Sequence, residues 1–199
     1  MTLISNVRLS ALLAAASLVL AACQPALEPA LPGDTAITIG TRIGIDSAIY
    51  SAPRAITVAL PAGYGDGSGR RFPVLYVVDG GVQQDFVPMA GMAALAGLTR
   101  QYREFILVGI QTENRYVELT ATSELEDDLR WLPENGGASQ FRQHLLGEVK
   151  PWIEARYRTS GEDAIIGESL AGLVITETFL RAPDRFDHYI LPPIHIPEP

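Results

Sequence analysis

Residues 164–172 read Ala164-Ile165-Ile166-Gly167-Glu168-Ser169-Leu170-Ala171-Gly172: a short apolar strand, a serine at a tight turn, and the start of a helix. A turn of this kind lifts a serine hydroxyl clear of the carboxyl end of a sheet and aims the next backbone N–H groups at charge developing beside it. The N–H of Leu170 is the natural first donor, reinforced by the dipole of the helix that begins there. The match to Gly-x-Ser-x-Gly is imperfect, because Ala171 stands where the second glycine belongs and Gly172 follows it. Taken alone, the pattern suits an ordinary strand-to-helix turn equally well.

Outward from the serine, the segments Val74–Val78, Phe105–Ile110 and Ala164–Ile166 are apolar on consecutive residues, as parallel strands covered on both faces are. Ile37–Ile39 and Arg54–Leu60 have strand character too, and the alternation in the second implies one wet face and an outer, antiparallel position. Helical patterns separate the buried runs, which predicts an α/β fold with a mostly parallel central sheet, right-handed crossovers and flanking helices. One helix follows from Phe141, Leu145, Val149, Trp152, Ile153 and Tyr157, with Ser139 placed to cap it and Pro151 expected to kink it near Gly147. The helix after Ser169 carries apolar residues nearly all round, predicting burial on more than one side, and Pro183 ends it. Phe186–Ile190 then leads toward another strand.

The serine needs a base, an acid that orients the base, and a second oxyanion donor. Asp79-Gly80-Gly81-Val82, after the first buried strand, is the expected donor loop, with Gly81 the first choice and Val82 the next. The three histidines are His144, His188 and His195. His195 is the candidate base if Tyr189–Ile194 extends the sheet, although Pro192 and Pro193 interrupt such a strand. His144 and His188 suit surface or helix-packing roles. Glu113 and Arg115 follow the carboxyl end of a predicted central strand, where α/β sheets bind ligands, and suit a substrate contact or an ion pair with one another; Glu168, next to the serine, suits a substrate contact or a structural role.

The amino terminus belongs outside the fold. Arg8 followed by the apolar run Leu9–Leu20 has the form of an export signal, too short to span a bilayer. Leu20-Ala21-Ala22-Cys23 resembles the lipobox of bacterial lipoproteins, and Cys23 is the only cysteine of the 199 residues, which excludes an internal disulfide. The expected organisation is a signal peptide over residues 1–22, a lipid-anchored proline-rich tether over 23–34, and a catalytic-type domain over 35–199. Gln24 after the cysteine resembles proteins sent to an outer membrane, so a periplasm-facing anchor is expected. The net charge of −8 argues against nucleic acid as a partner.

No metal or cofactor is expected. Gly65-Asp66-Gly67-Ser68-Gly69 lacks the Lys-Ser/Thr of a phosphate loop, and Glu124, Glu126, Asp127 and Asp128 lack cation-loop spacing and suit a solvated face.

Four stretches together resemble the putative-esterase branch of the α/β-hydrolases, the group of the enterochelin esterases and S-formylglutathione hydrolase (esterase D): Phe72–Gly81, Ile106–Ile110 with Asn114-Arg115, Lys150–Arg158 and Ile166–Gly172. They occur in the order and spacing of that family, over about Ser51 to Ile190. The resemblance implies a small-molecule ester or thioester substrate, Ser169 as nucleophile, and an oxyanion hole from Leu170 and the Gly80-Gly81 loop. It also implies further strands, an acid and a distal histidine beyond Ile190. Here Leu191-Pro192-Pro193-Ile194-His195-Ile196-Pro197-Glu198-Pro199 stands instead, so the expectation is an incomplete α/β-hydrolase fold that lacks the C-terminal strands and is impaired in catalysis. The alternatives are a lipid-tethered binding module without catalysis and a truncated product without function.

Overall fold

The computed structural model describes Gly33 and residues 35–99 and 102–191. The signal, Cys23 and His195 lie outside the described residues. The chain divides into two units, Met1–Ile37 and Thr38–Pro199, and every element below belongs to the second.

In chain order the elements are β1 (Thr41–Ser47), β2 (Ala52–Ala59), β3 (Phe72–Val78), α1 (Phe86–Thr99), β4 (Ile106–Ile110), α2 (Arg115–Glu118), α3 (Glu126–Trp131), α4 (Ala138–His144), a π-helical turn (Leu145–Val149), α5 (Lys150–Arg156), β5 (Thr159–Ile166), α6 (Leu170–Arg181) and β6 (His188–Ile190). The six strands form one sheet in the order β1-β2-β4-β3-β5-β6. The β1/β2 and β2/β4 pairs are antiparallel, and β4, β3, β5 and β6 run parallel. This is the expected α/β architecture, with the antiparallel strands at one edge.

Side-chain alternation divides the core between the two faces of the sheet. Phe72, Val74, Tyr76 and Val78 of β3, with Ile106, Val108 and Ile110 of β4, pack beneath Phe141, Leu145, Val149, Ile153, Val174 and Ile175. Val77 and Leu107 face the other way, against Phe86 and Ala90 of α1. Burying an aromatic or branched side chain is worth about 1.5–3 kcal/mol each, so the first face dominates stability. On the second, α1 leaves Met92, Leu95 and Leu98 exposed.

Several local expectations need correction. No strand forms at Ile37–Ile39; the first strand is Thr41–Ser47, whose inward residue Ile45 is buried while Ile37 is 92% exposed. Ser139 does not cap its helix: Gly137 occupies that position, and the Ser139 hydroxyl accepts from Gln143 Nε2. The distortion expected near Gly147 takes the form of a π-helical turn over Leu145–Val149, which accommodates the N–H that Pro151 lacks before the α-helix resumes. Finally, α6 buries Ala171, Gly172, Val174, Ile175 and Thr178 on one side and leaves Leu173, Phe179 and Leu180 exposed, so burial is one-sided.

Candidate active site

Ser169 stands between the end of β5 and the start of α6 with φ 58° and ψ −118°. A non-glycine residue with positive φ costs about 1–3 kcal/mol, which the packing on either side must offset. That packing is tight. A Cβ on Gly167 would come 2.6 Å from the Ala171 Cβ and 3.2 Å from the Val78 Cβ, so only glycine lets α6 approach the sheet. Alanine at position 171 is thereby compatible with the turn, because Gly167 supplies the space. The Ser169 side is exposed, and the Leu170 N–H has no acceptor among the described residues. The geometry is that of a nucleophile elbow with its first oxyanion donor free.

The loop after β3 faces this turn across a cavity of about 350 Å³ lined by Asp79, Gln84, Asp85, Arg115, Glu168 and Ser169. Asp79 also has positive φ, 57°. Glycine follows it because a Cβ on Gly80 would lie 2.3 Å from Gly109 Cα, where β4 crosses beneath, and the Gly80 N–H donates to the Ile110 carbonyl at 2.8 Å. The Gly81 N–H, the expected second oxyanion donor, is engaged: it donates to Gln84 Oε1 at 2.9 Å. Gln84 is held in turn, its Nε2 donating to Thr112 Oγ1 at 2.8 Å. The Val82 N–H has no acceptor among the described residues, so the free donor lies one residue further along than expected.

Asp79 anchors the polar side of the cavity. It accepts from the Thr112 hydroxyl and, at 2.9 Å, from Arg115 Nε, with a second Arg115 nitrogen also 2.9 Å from Oδ2. Arg115 therefore pairs with Asp79 and not with Glu113, whose carboxylate accepts from Gln111 Nε2 at 3.2 Å outside the cavity lining. Burial raises the Asp85 carboxyl above its ordinary range, and the neighbouring charges of Asp79 and Glu168 raise it further while Arg115 opposes them. Below this layer Glu118 accepts from the N–H groups of Glu113 and Asn114, each at 3.1 Å, and from Arg54, which fixes the turn that presents Arg115. Asp79, Gln84, Asp85 and Thr112 carry the site without having been singled out. The legible signal was an acid at the carboxyl end of a buried strand.

Two of the three histidines lie among the described residues. His188 opens β6, paired with Ala164 of β5, and its Nε2 lies 3.6 Å from Glu162 Oε1. His144 is buried on α4, its Nδ1 2.6 Å from Glu148 Oε2 and its ring edge-on to Tyr50. Neither lines the cavity beside Ser169. The acidic run is exposed, and Arg130 of α3 pairs with Glu126 at 3.0 Å and Asp127 at 3.4 Å.

Residues 47–192 match the Putative esterase family. Over 85 residues, 40% of this chain and 29% of the relative, the sequence is 39% identical to the ferri-bacillibactin esterase BesA of Bacillus subtilis (strain 168). Among solved structures, an IroE-like serine hydrolase from Shewanella oneidensis is 28% identical with a TM-score of 0.66, over 75% of this chain and 49% of that one. The siderophore hydrolase EstA from Aspergillus nidulans is 25% identical with a TM-score of 0.66, over 83% of this chain and 60% of that one. The chain thus spans between about a third and three fifths of the length of these relatives.

Proposed function

We propose, for a chain that belongs to the Putative esterase family, attack on carboxylic-ester or thioester carbonyls by Ser169, with the N–H groups of Leu170 and Val82 receiving the oxyanion. The observation that carries this is the strained Ser169 at the head of α6, exposed beside a cavity and followed by an unpaired N–H. In the chemical step Oγ forms a bond to the carbonyl carbon and its proton passes to a base. The carbonyl electrons return to expel the alkoxide or thiolate, which leaves protonated, and water then releases the acid from the acyl-serine.

The base is the weak part of this chain. His144 and His188 pair with Glu148 and Glu162, and His195 is the remaining histidine, so acylation and deacylation are both proposed to be impaired. The same observation favours the second reading, a tethered module that binds esters without cleaving them. Similarity to siderophore esterases makes a siderophore-like ester one candidate substrate. Cys23 is proposed as the lipidation site of an outer-membrane lipoprotein facing the periplasm; membrane-fraction mass spectrometry should find a diacylglyceryl-modified Cys23 that Cys23→Ser abolishes.

The deciding experiment is nitrophenol release from p-nitrophenyl acetate by the full chain. Slow nitrophenol release above the uncatalysed rate, abolished in Ser169→Ala, is expected. Release slowed further by His195→Ala would assign the base, and equal rates for parent and Ser169→Ala would reject the nucleophile.

A further inference from the structure

The cavity beside Ser169 is lined by three carboxylates, from Asp79, Asp85 and Glu168, and one guanidinium, from Arg115. That guanidinium is already committed, with two of its nitrogens 2.9 Å from Asp79 Oδ2. Outside the lining, Arg42 donates to Gln111 Oε1 and Glu113 accepts from Gln111 Nε2. Asp85, on the loop after β3, and Glu168, beside the serine in its turn, are in no ion pair among the described residues. They sense one another: the charge of Glu168 contributes to raising the Asp85 carboxyl, after burial and Asp79.

Three carboxylates against one guanidinium leave an excess of negative charge at a concave site, which focuses a negative potential on whatever enters it. Such a field repels an anionic acyl or alcohol group and attracts a cation, and like-charge juxtaposition is the stronger discriminator of the two. We infer that the cavity selects esters whose acyl or alcohol part carries an ammonium group, with Glu168 and Asp85 as the residues that set this preference. The inference rests on the acyl-serine reading for its substrate, and on the cavity alone for its charge. In the bound ester, the ammonium group sits between the two carboxylates while the carbonyl oxygen meets the Leu170 N–H. Each carboxylate then has a partner that the protein does not supply.

Two arms separate charge selection from chemistry. In the binding arm, the full chain carrying Ser169→Ala is titrated calorimetrically with choline and with its uncharged isostere 3,3-dimethylbutan-1-ol. Choline is expected to bind about tenfold more tightly, roughly 1.4 kcal/mol, and the ratio should fall toward one in Asp85→Asn/Glu168→Gln. Equal binding of the two probes, or a preference that survives in that double variant with an unchanged circular dichroism spectrum, overturns the inference. In the acylation arm, with Ser169 intact, the p-nitrophenyl ester of 4-(trimethylammonio)butyrate should acylate about tenfold faster than that of its isostere 5,5-dimethylhexanoate. Equal acylation by both overturns charge selection and leaves the nucleophile standing. Acylation by neither removes the acyl-serine reading, and the binding arm still decides the charge preference.

Discussion

Serine, histidine and a carboxylate meet at hydrogen-bonding distance in one region of this molecule, and it is the wrong one. Ser47 donates to Glu148 Oε2 at 2.5 Å and His144 Nδ1 lies 2.6 Å from the same oxygen, while Ser169 has no hydrogen-bond partner for its hydroxyl among the described residues. In the first cluster the carboxylate lies between serine and histidine, so the imidazole cannot take the serine proton. Glu148 Oε1 also accepts from the N–H groups of Ala48 at 2.8 Å and Ile49 at 3.2 Å, which closes the turn between β1 and β2. Saturated acceptors make this cluster a fastening. At Ser169 the backbone is strained and a donor left free beside an open cavity. The elbow geometry, more than the inventory of residue types, distinguishes the reactive position.

The comparison breaks most visibly at Glu148. Removing its carboxylate strands the Ser47 hydroxyl, two backbone N–H groups and the His144 ring at once, so Glu148→Ala is expected to cost about 3 kcal/mol in urea unfolding. Acylation of Ser169 in the fraction that stays folded should be unaffected, and a selective loss of acylation would tie the two regions together. A change at the elbow should act on both properties. Gly167→Ala places a methyl group against Ala171 and Val78, with an expected loss of about 2 kcal/mol and a proportionally larger fall in acylation rate.

A smaller effect is expected at Asp79→Asn, which weakens the tie to Arg115. Because the Arg115 side chain is 36% exposed, the stability change should stay near 1 kcal/mol, read by thermal denaturation, with the main consequence in the cavity. The smallest is a pH slope. Burial lowers the His144 imidazole below its ordinary value of 6.5, against the pull of Glu148. The unfolded chain therefore binds the proton more readily, and the contribution of neutral His144 is fully present above that ordinary value and lost as pH falls below it. The hydrogen bonds to Glu148 lower its carboxyl against the opposing effect of burial, which extends the loss into more acid solution. The melting temperature should decline from pH 7 to 5, with a shallower slope in His144→Asn; identical slopes would remove His144 as the cause.

Much of the architecture was legible because its signals are local. The consecutive apolar residues of β3 and β4 marked strands covered on both faces, whereas those of β5 marked a strand of which only Ile165 among Ala164–Ile166 is buried; Gly167-Glu168-Ser169 read as a turn once a strand preceded it and a helix followed. What escaped was set by partners distant in sequence. That the Gly81 N–H is engaged while the Val82 N–H has no acceptor among the described residues depends on Gln84, itself held by Thr112. The pairing of Arg115 with Asp79 instead of Glu113 depends on the Glu118 carboxylate gathering the loop. The one-sided burial of α6 and the exposure of α1 likewise depend on what packs beside them, and no periodicity within a helix reports that.

The most direct test of the central claim is site-resolved labelling of the full chain with excess uncharged fluorophosphonate, followed by peptide mass mapping. The account predicts a single adduct on Ser169, absent in Ser169→Ala, with Ser47 unmodified. An adduct on Ser47, or no adduct on Ser169 in folded protein, would contradict it.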